Sequence, residues 1–577
     1  MYNWIKAYLH NRKARVSVNN ILSKKILLRH GVPQGGVLSP SLFLLFINDL
    51  VDDLPKGIKA ALYADDLVLW CTEEHSSTAT YRMQQAADKL HEWALRWCVS
   101  INKEKSSSTL FTLSTKQKAG IIKIGDTPLR NDSEPTYLGV TFDQRLTWKP
   151  QLAKAEGKAR RKLAILRKLS GTTWGANHKI LKTVYQGSVR PHLEYSSTAW
   201  STAAKANLNT LDKVQNQALR IMTGAMKSTP IRAMEQISGI TPLQQRREEK
   251  IMIQATKYNC LPKHPMKQKL EGLTKNRLKR RSFLHESKRL FRQHQNSLPK
   301  NNIPLDPGKF SKPWEQDRVN LEINTTVPQI TSGECQSETA KKALAMAMIQ
   351  ENYPEEAWIH VYTDGSAINA VTNGGAGILI KYPGGNFDTN SLPTGKHCTN
   401  YKAEMDALMQ AITMVRDTED TCEQVVIFTD ALSVLQALEN GKCPDLTEAL
   451  QELCRRRKTI LQWIPAHCGI CGNERADELA KLGSKKPQSE NAVTYSEKRS
   501  LIRALHRQPK ERDDYHLLSR DQQVILMRLR TGHNRLKKHL NRLKISASPV
   551  CPCGQEDQTS EHVLQRYPQL QKLRKKM

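Results

Sequence analysis

The sequence predicts a multidomain protein that combines α+β and α/β architecture. Three observations predict it. The chain has 577 residues, enough for roughly three to five separately cored domains. Strand-like apolar runs that end on an acid, WIHVYT before Asp364 and VVIFT before Asp430, flank a helical stripe of Ala403, Ala407, Leu408, Ala411, Ile412 and Val415. Between 151 and 225, Lys and Arg alternate with apolar positions, as in ARRKLAILRK at 159–168, the pattern of helices with one basic face.

Composition narrows the function before any motif is read. The formal net charge is +32, which calls for a polyanionic partner, most simply nucleic acid. An acidic membrane surface is the weaker candidate, because the basic residues are spread along the chain rather than set beside an apolar anchor. Twelve cysteines at irregular spacing in so long a chain argue against a disulfide framework and for a reducing compartment. The first residues, MYNWIKAYLHNR, contain no signal-peptide apolar core. The most apolar stretch, 42–50, is too short to span a bilayer and contains Asn48 and Asp49. These features predict an intracellular protein, in nucleus or cytoplasm, with no membrane partner. They leave the oligomeric state open.

Residues 1–145 are expected to form one mixed domain. The segment 31–50, GVPQGGVLSPSLFLLFINDL, is a Gly/Pro-rich turn leading into an apolar helix, a layout that brings backbone close to a ligand. The segment 60–70, AALYADDLVLW, is two apolar half-strands with Asp65 and Asp66 at the tip. An Asp-Asp pair alone is usually a hairpin turn. Together with the 31–50 turn and YLGVTF at 137–142, it resembles the reverse transcriptase of non-LTR retrotransposons of the jockey-like or I-like kind, over residues 1 to about 240. The resemblance implies a partial palm for 1–145 and a helical thumb for 146–245, with phosphate contacts on the basic helix faces. It implies that Asp65 and Asp66 are metal ligands and that Gln34 lies near the template or incoming nucleotide. Such polymerases draw a further carboxylate from an earlier palm strand, so that two cations are held from both sides. No Asp or Glu precedes Asp49. The expectation is therefore a truncated palm that does not polymerise by itself.

Residues 246–350 are expected to be a basic segment and a linker. The stretch 246–292 holds 15 Lys or Arg against 4 Asp or Glu, and 293–350 is rich in Asn, Gln, Pro, Thr and Ser.

Residues 351–490 carry the most informative pattern. Asp364 and Asp430 end strands, Glu404 lies in TNYKAE at the opening of a helix, and Asp477 closes WIPAHCGICGNERAD at 463–477. In 358–364, Ile359, Val361 and Thr363 face one way and His360, Tyr362 and Asp364 the other. Asn473 is a candidate N-cap for the helix carrying Asp477. A single Asp at a strand end is usually a turn or cap residue. Four acids on two strand ends and two helices can instead converge and hold two divalent cations, and carboxylate oxygens suit Mg²⁺, with Mn²⁺ as the alternative. With these frames, 357–484 resembles a type 1 ribonuclease H domain. That resemblance implies a mixed five-stranded sheet flanked by helices, hydrolysis of RNA paired to DNA, metal binding by Asp364, Glu404, Asp430 and Asp477, and a mobile histidine at His467 that assists proton transfer or product release. Cys468 and Cys471 form a CxxC with no second pair nearby and are expected to be loop packing residues.

Residues 491–577 are expected to be a basic helical tail. RLRTGHNRLKKHLNRLK at 528–544 precedes CPCG at 551–554 and TSEHVL at 559–564. This resembles the cysteine–histidine knuckle that closes many polymerases of that group, which implies Cys551, Cys553 and His562 as Zn²⁺ ligands. A structural zinc site takes four, and the family's fourth cysteine is replaced by Arg566.

The sequence thus predicts a retrotransposon-derived protein whose main activity is metal-dependent hydrolysis of the RNA strand of RNA–DNA hybrids, with RNA and DNA as partners. Two alternatives stand beside it. One is an RNA-directed DNA polymerase completed by an upstream segment. The other is a nucleic-acid-binding remnant with an idle nuclease.

Overall fold

The protein is described here from a computed structural model, over residues 1–28, 30–272, 282–305, 321–330, 337–507 and 514–574. The chain divides into two compact units. One comprises residues 1–165, 187–196 and 203–214, and the other comprises 166–186, 197–202 and 215–577.

In the first unit the Gly/Pro turn feeds helix α1 (Ser39–Phe46), whose Ser39 hydroxyl donates to the Pro33 carbonyl. Strands β1 (Lys59–Tyr63) and β2 (Asp66–Trp70) form an antiparallel hairpin in which Tyr63 pairs with Asp66. Ala64, at the turn, takes φ +51°. Helix α2 (Ser76–Arg96) supplies Trp93 and Ala94 to a small core with Ile47, against which Phe43, Leu50 and Leu62 pack. The Trp93 indole N–H donates to Asp49 at 3.0 Å. YLGVTF becomes a short antiparallel pair, Thr136–Tyr137 against Val140–Thr141.

The segment expected to be thumb-like is helical. Helix α3 (Lys149–Lys168) buries Leu152, Ala155, Ala159, Leu163 and Leu166, one stripe at helical spacing, and exposes Arg160, Arg161, Lys162 and Arg167. Helix α4 (Lys205–Thr223) follows after shorter helices within 178–200.

The second unit is nested in sequence. Its outer layer joins the tail to Gly171, His178 and residues 221–228. The terminal carbonyls of α4 lack partners within their own helix. Arg520, 5 % exposed, supplies them by donating to Ile221 O at 2.7 Å and to Met222 O, and also to Gly171 O at 3.1 Å. Inside that layer, helix α5 (Leu243–Cys260) contributes Ile251 and Met252 to a core with Leu290, Leu298, Leu501 and Ile502. Replacing Arg520 with Ala leaves buried carbonyls unpaired, at an expected cost of about 2–4 kcal/mol. Hydrogen exchange should then accelerate in both 217–224 and 520–531 while the central sheet keeps its protection. Unchanged exchange in either segment would refute the clamp.

The innermost layer is a mixed sheet of six strands, ordered β3-β8-β7-β4-β5-β6, where β3 is Glu322–Asn324, β4 Ile359–Ile368, β5 Thr372–Lys381, β6 Phe387–Gly395, β7 Gln424–Thr429 and β8 Lys458–Trp463. Five strands were expected. The sixth, β3, comes from the segment read as linker and runs parallel to β8, with Ile323 opposite Leu461. A helix from the same segment, α6 (Glu338–Asn352), packs Ala345, Met348 and Ile349 under the sheet. The polar composition of 293–350 hid the apolar run 343–349 that α6 buries, while β3, Glu-Ile-Asn and only partly covered, offers no run of its own. The rest of that expectation, on 306–320 and 331–336, lies outside the described residues.

Four helices complete this layer around the site: α7 (Asn400–Asp417), α8 (Leu432–Glu439), α9 (Pro444–Cys454) and α10 (Cys471–Lys485). Both faces of β4 are buried, as its alternation requires. Ile359 and Val361 join the core that includes Leu408, Ile412 and Val425, while Trp358 and Tyr362 join the core with Phe428 and Ile460. A further helix, α11 (Tyr495–Leu505), leads toward the tail helix α12 (Arg520–Thr531). Among the described residues no helix is long and apolar enough to cross a membrane.

Candidate active site

Parallel pairing of β4 and β7 sets the centre of the site. Thr363 lies opposite Thr429, so the next residues, Asp364 and Asp430, leave the two strands at the same level. Thr399 caps α7 by accepting from the Lys402 N–H at 3.2 Å, which fixes where that helix begins. Glu404 sits in its first turns, against β4. Donor oxygens of Asp364, Glu404 and Asp430 all fall within 4.8 Å of one another.

Glycines make this convergence possible. A Cβ on Gly365 would stand 2.1 Å from the Glu404 nitrogen, and one on Gly377 would stand 2.0 Å from the Ala476 carbonyl oxygen. Gly377 is the β5 partner of Asp364. Helix α10 therefore lies directly on the backbone of β5 and carries Asp477 to the rim of the acidic cluster. Asp477 groups with His467 and Glu474, whose donor atoms also lie within 4.8 Å of one another.

The sequence missed three side chains here. Asn473, read as the N-cap, lies inside α10, which is capped at Ile470. It is buried, and its amide donates to Asp430 at 3.3 Å. Glu474 accepts from the Gly469 N–H at 3.2 Å, which ties down the loop carrying His467. Lys481 pairs with Asp477 at 2.5 Å from an exposed position. The spacing 474, 477, 481 on one helix face was the available signal. Of the CxxC pair, Cys468 is buried and donates to Pro465 O at 3.2 Å, as packing residues do. Cys471 is exposed and opens α10, so the packing role fails for it. His467 is exposed and takes φ +49° at its loop.

The electrostatics are those of a crowded anion site. Burial, then the charges of Asp430 and Asp477, push Asp364 up to about 7. Burial followed by Asp364 and Asp430 pushes Glu404 well above the carboxylate range, although the Gly365 N–H bonds to it. Asp430 is also raised, chiefly by burial, with the Asn473 hydrogen bond opposing. Glu404 Oε2 is buried with no hydrogen-bond partner. Apposed hard oxygens, one of them orphaned, without a cation in their midst are costly. The donor set therefore fits divalent cations of the Mg²⁺ type.

The other expected site residues lie elsewhere. Asp65 and Asp66 are exposed at the hairpin turn and Gln34 is exposed in the turn before α1. Among the described residues neither aspartate joins a group of three metal-donor side chains. In the tail, Cys551, Cys553 and His562 do meet, with donor atoms within 4.8 Å. Cys553 Sγ lies 3.3 Å from His562 Nε2, and His562 Nδ1 lies 3.0 Å from Glu556. Arg566, at the place of a fourth ligand, pairs with Glu556 and Glu561. The set supplies three of the four donors a structural zinc centre uses.

Comparison with known proteins follows this geometry. Residues 1–142 match the family model of reverse transcriptase (RNA-dependent DNA polymerase), and residues 356–485 match that of RNase H. The probable RNA-directed DNA polymerase from transposon BS of Drosophila melanogaster is 32% identical over 230 residues, 38% of this chain and 25% of that protein. The RNA-directed DNA polymerase from mobile element jockey of the same species is 29% identical over 231 residues, 39% of this chain and 25% of that one. Ribonuclease H of Rhizobium etli is 29% identical over 154 residues, 24% of this chain and 98% of its own length. The alignments span about a quarter of the length of the transposon polymerases.

Proposed function

From a chain that carries the reverse-transcriptase and ribonuclease H segments of a non-LTR retrotransposon polymerase protein, we propose a divalent-cation-dependent endonuclease acting on the RNA strand of RNA–DNA hybrids. One observation carries the reading. Asp364, Glu404 and Asp430 present oxygens within 4.8 Å of one another, with Asp477 at the rim. These four side chains would hold Mg²⁺, or Mn²⁺ in its place. Held there, such cations would supply Lewis-acid chemistry for attack by water on the phosphodiester and for departure of the 3′-oxygen.

The chain's own groups do the rest. Asn473 fixes the orientation of Asp430 through its amide hydrogen bond. Lys481 neutralises Asp477 before substrate arrives and, being exposed, can swing away. His467 stands on the rim at an exposed loop position, suited to carrying a proton to or from a phosphate oxygen. The 2′-hydroxyl is the group by which the RNA strand is told from DNA. The basic helix faces of the chain would supply a salt-dependent grip on phosphates.

The test uses the full chain and an end-labelled hybrid. Magnesium-dependent cuts in the RNA strand should fall on the order of 10³-fold in Asp430→Asn, the loss expected when several kcal/mol of charge stabilisation go. Equal cleavage by that variant would sink the proposal. A second reading, RNA-directed DNA polymerisation, is favoured by the exposed aspartates at the β1–β2 turn. Primer extension on an RNA template by the same preparation tests it, and Asp65→Asn should abolish any product.

A further inference from the structure

The cysteine–histidine lobe of the tail departs from the four-ligand knuckle it resembles, although the backbone of such a knuckle is present. The Cys551 N–H donates to the Glu556 carbonyl and the Gly554 N–H to the Cys551 carbonyl, each at 2.9 Å, and Gly554 takes φ +75°. These bonds close a tight turn around Cys553. Residues His562–Arg566 form one wide helical turn, and the Tyr567 N–H returns to the His562 carbonyl at 2.7 Å. Cys551, Cys553 and His562 meet with donor atoms within 4.8 Å, and among the described residues no further His, Cys, Asp or Glu joins them.

A structural zinc ion in such a place ties the cysteine turn to the histidine turn through four donors. Here Arg566 stands at the position of the fourth. A guanidinium stays protonated and has no acceptor to offer a metal. Its side chain instead pairs with Glu556 of the cysteine turn at 3.1 Å and with Glu561, just before His562, at 2.5 Å. Glu556 also faces His562 Nδ1 at 3.0 Å, and His562 Nε2 lies 3.3 Å from Cys553 Sγ. The residues present therefore do not fit a structural zinc ion. They form a polar chain that spans the same two turns.

The ordinary reading of Arg566 is a solvated surface cation, and part-exposed pairs are each worth little. Its reach argues for more, because it holds one partner on each turn. The lobe is also seated from outside. The Asn534 amide donates to Ser560 at 2.9 Å, the Lys537 N–H to the Gln558 side chain at 2.9 Å, and Ser560 to the Leu529 carbonyl at 3.3 Å. A lobe held in this way needs less from its centre than a free-standing knuckle does.

We infer that the 550–567 lobe keeps its fold without a metal, the polar chain from Arg566 through Glu556 and His562 to Cys553 taking the cross-linking place of zinc. The inference stands apart from the nuclease reading and concerns the tail alone.

The experiment uses the full chain and two readouts. One is hydrogen exchange over 550–567 with and without a zinc-selective chelator. The other is the visible absorption of added Co²⁺, which intensifies when thiolates hold it in a tetrahedron. The parent should exchange equally in both conditions and show no cobalt band that depends on Cys553. Arg566→Cys supplies a fourth donor, so it should gain a thiolate–cobalt band and become chelator-sensitive. Adding Cys553→Ser to that variant should remove the band. Glu556→Gln keeps the shape and removes the charge between Arg566 and His562. It should speed exchange at 551–566 by about 2- to 5-fold, the worth of a part-exposed ion pair. Unchanged exchange over α12 checks that the seat of the lobe is intact in each variant. A parent band abolished by Cys553→Ser, or parent exchange accelerated by chelator, would overturn the inference by revealing a three-donor metal site. Failure of Arg566→Cys to gain metal would overturn it too, since the arginine would then not occupy a donor's place. Unchanged exchange at 551–566 in Glu556→Gln would deny the polar chain its role as cross-link.

Discussion

Asp364→Asn is expected to abolish RNA cleavage and, at the same time, to stabilise the cation-free protein at pH 8. The two effects share a cause. In the folded chain Asp364 keeps its proton up to about pH 7, against an ordinary value of 3.8, because it is buried beside Asp430 and Asp477. Below the ordinary value both folded and unfolded states are protonated, and the group is neutral to stability. As pH rises toward 7 the unfolded state releases the proton while the folded state retains it, so stability falls through that window and stays low above it. The penalty is on the order of a few kcal/mol. Asparagine keeps the shape and removes it. Thermal melts in EDTA should place the variant about 5 °C above the parent at pH 8 and bring the two together near pH 4. Added Mg²⁺ should reverse the order, because binding to the folded state stabilises only the parent. A variant less stable than the parent in EDTA at both pH values would show that Asp364 is a structural residue of the β4 end rather than a member of a strained anion cluster.

Much of this centre could be read from sequence because each acid ends or opens a periodic segment. The alternation of 358–363 and the stripe of 403–415 located Asp364 and Glu404 on their elements. What periodicity does not carry is register. The pairing of Thr363 with Thr429 brings Asp364 beside Asp430, and nothing in either strand alone specifies it. Local rules also mislead where tertiary partners compete. Asn473 has the chemistry of an N-cap, but Asp430 offers its amide a buried acceptor, and the helix starts two residues earlier at Cys471. The strand Glu322–Asn324 has three residues, too few to show a period inside a polar segment. The glycines were legible in principle. In the run NGGAG at 373–377, Gly375 and Gly377 stand two apart on one face of a strand, a mark of close backbone approach.

That approach makes Gly365→Ala the second large expected effect. Gly365 follows Asp364 on β4, and the alanine methyl would lie 2.1 Å from the Glu404 nitrogen and 2.5 Å from the Ala403 carbonyl carbon. Both contacts are backbone, so no side-chain rotation relieves them. Either α7 is driven away from the sheet or β4 bends, and each route separates Glu404 from Asp364. Overpacking of this kind costs about 1–3 kcal/mol, occasionally more. Activity should fall further than stability, since misplacement of a catalytic group by about 1 Å can cost on the order of 10²-fold. Gly384 provides the contrast. A Cβ there meets nothing within 4 Å, so Gly384→Ala should leave both melting temperature and cleavage near the parent values. The informative comparison is between Gly365→Ala and Glu404→Gln. The glutamine variant loses the charge but keeps the helix seated, so in EDTA at pH 8 it should melt at or above the parent, whereas the alanine variant should melt below it. If Gly365→Ala instead melts and cleaves like the parent, the helix does not rest on bare strand backbone, and the geometry that joins Asp364 to Glu404 must have another source.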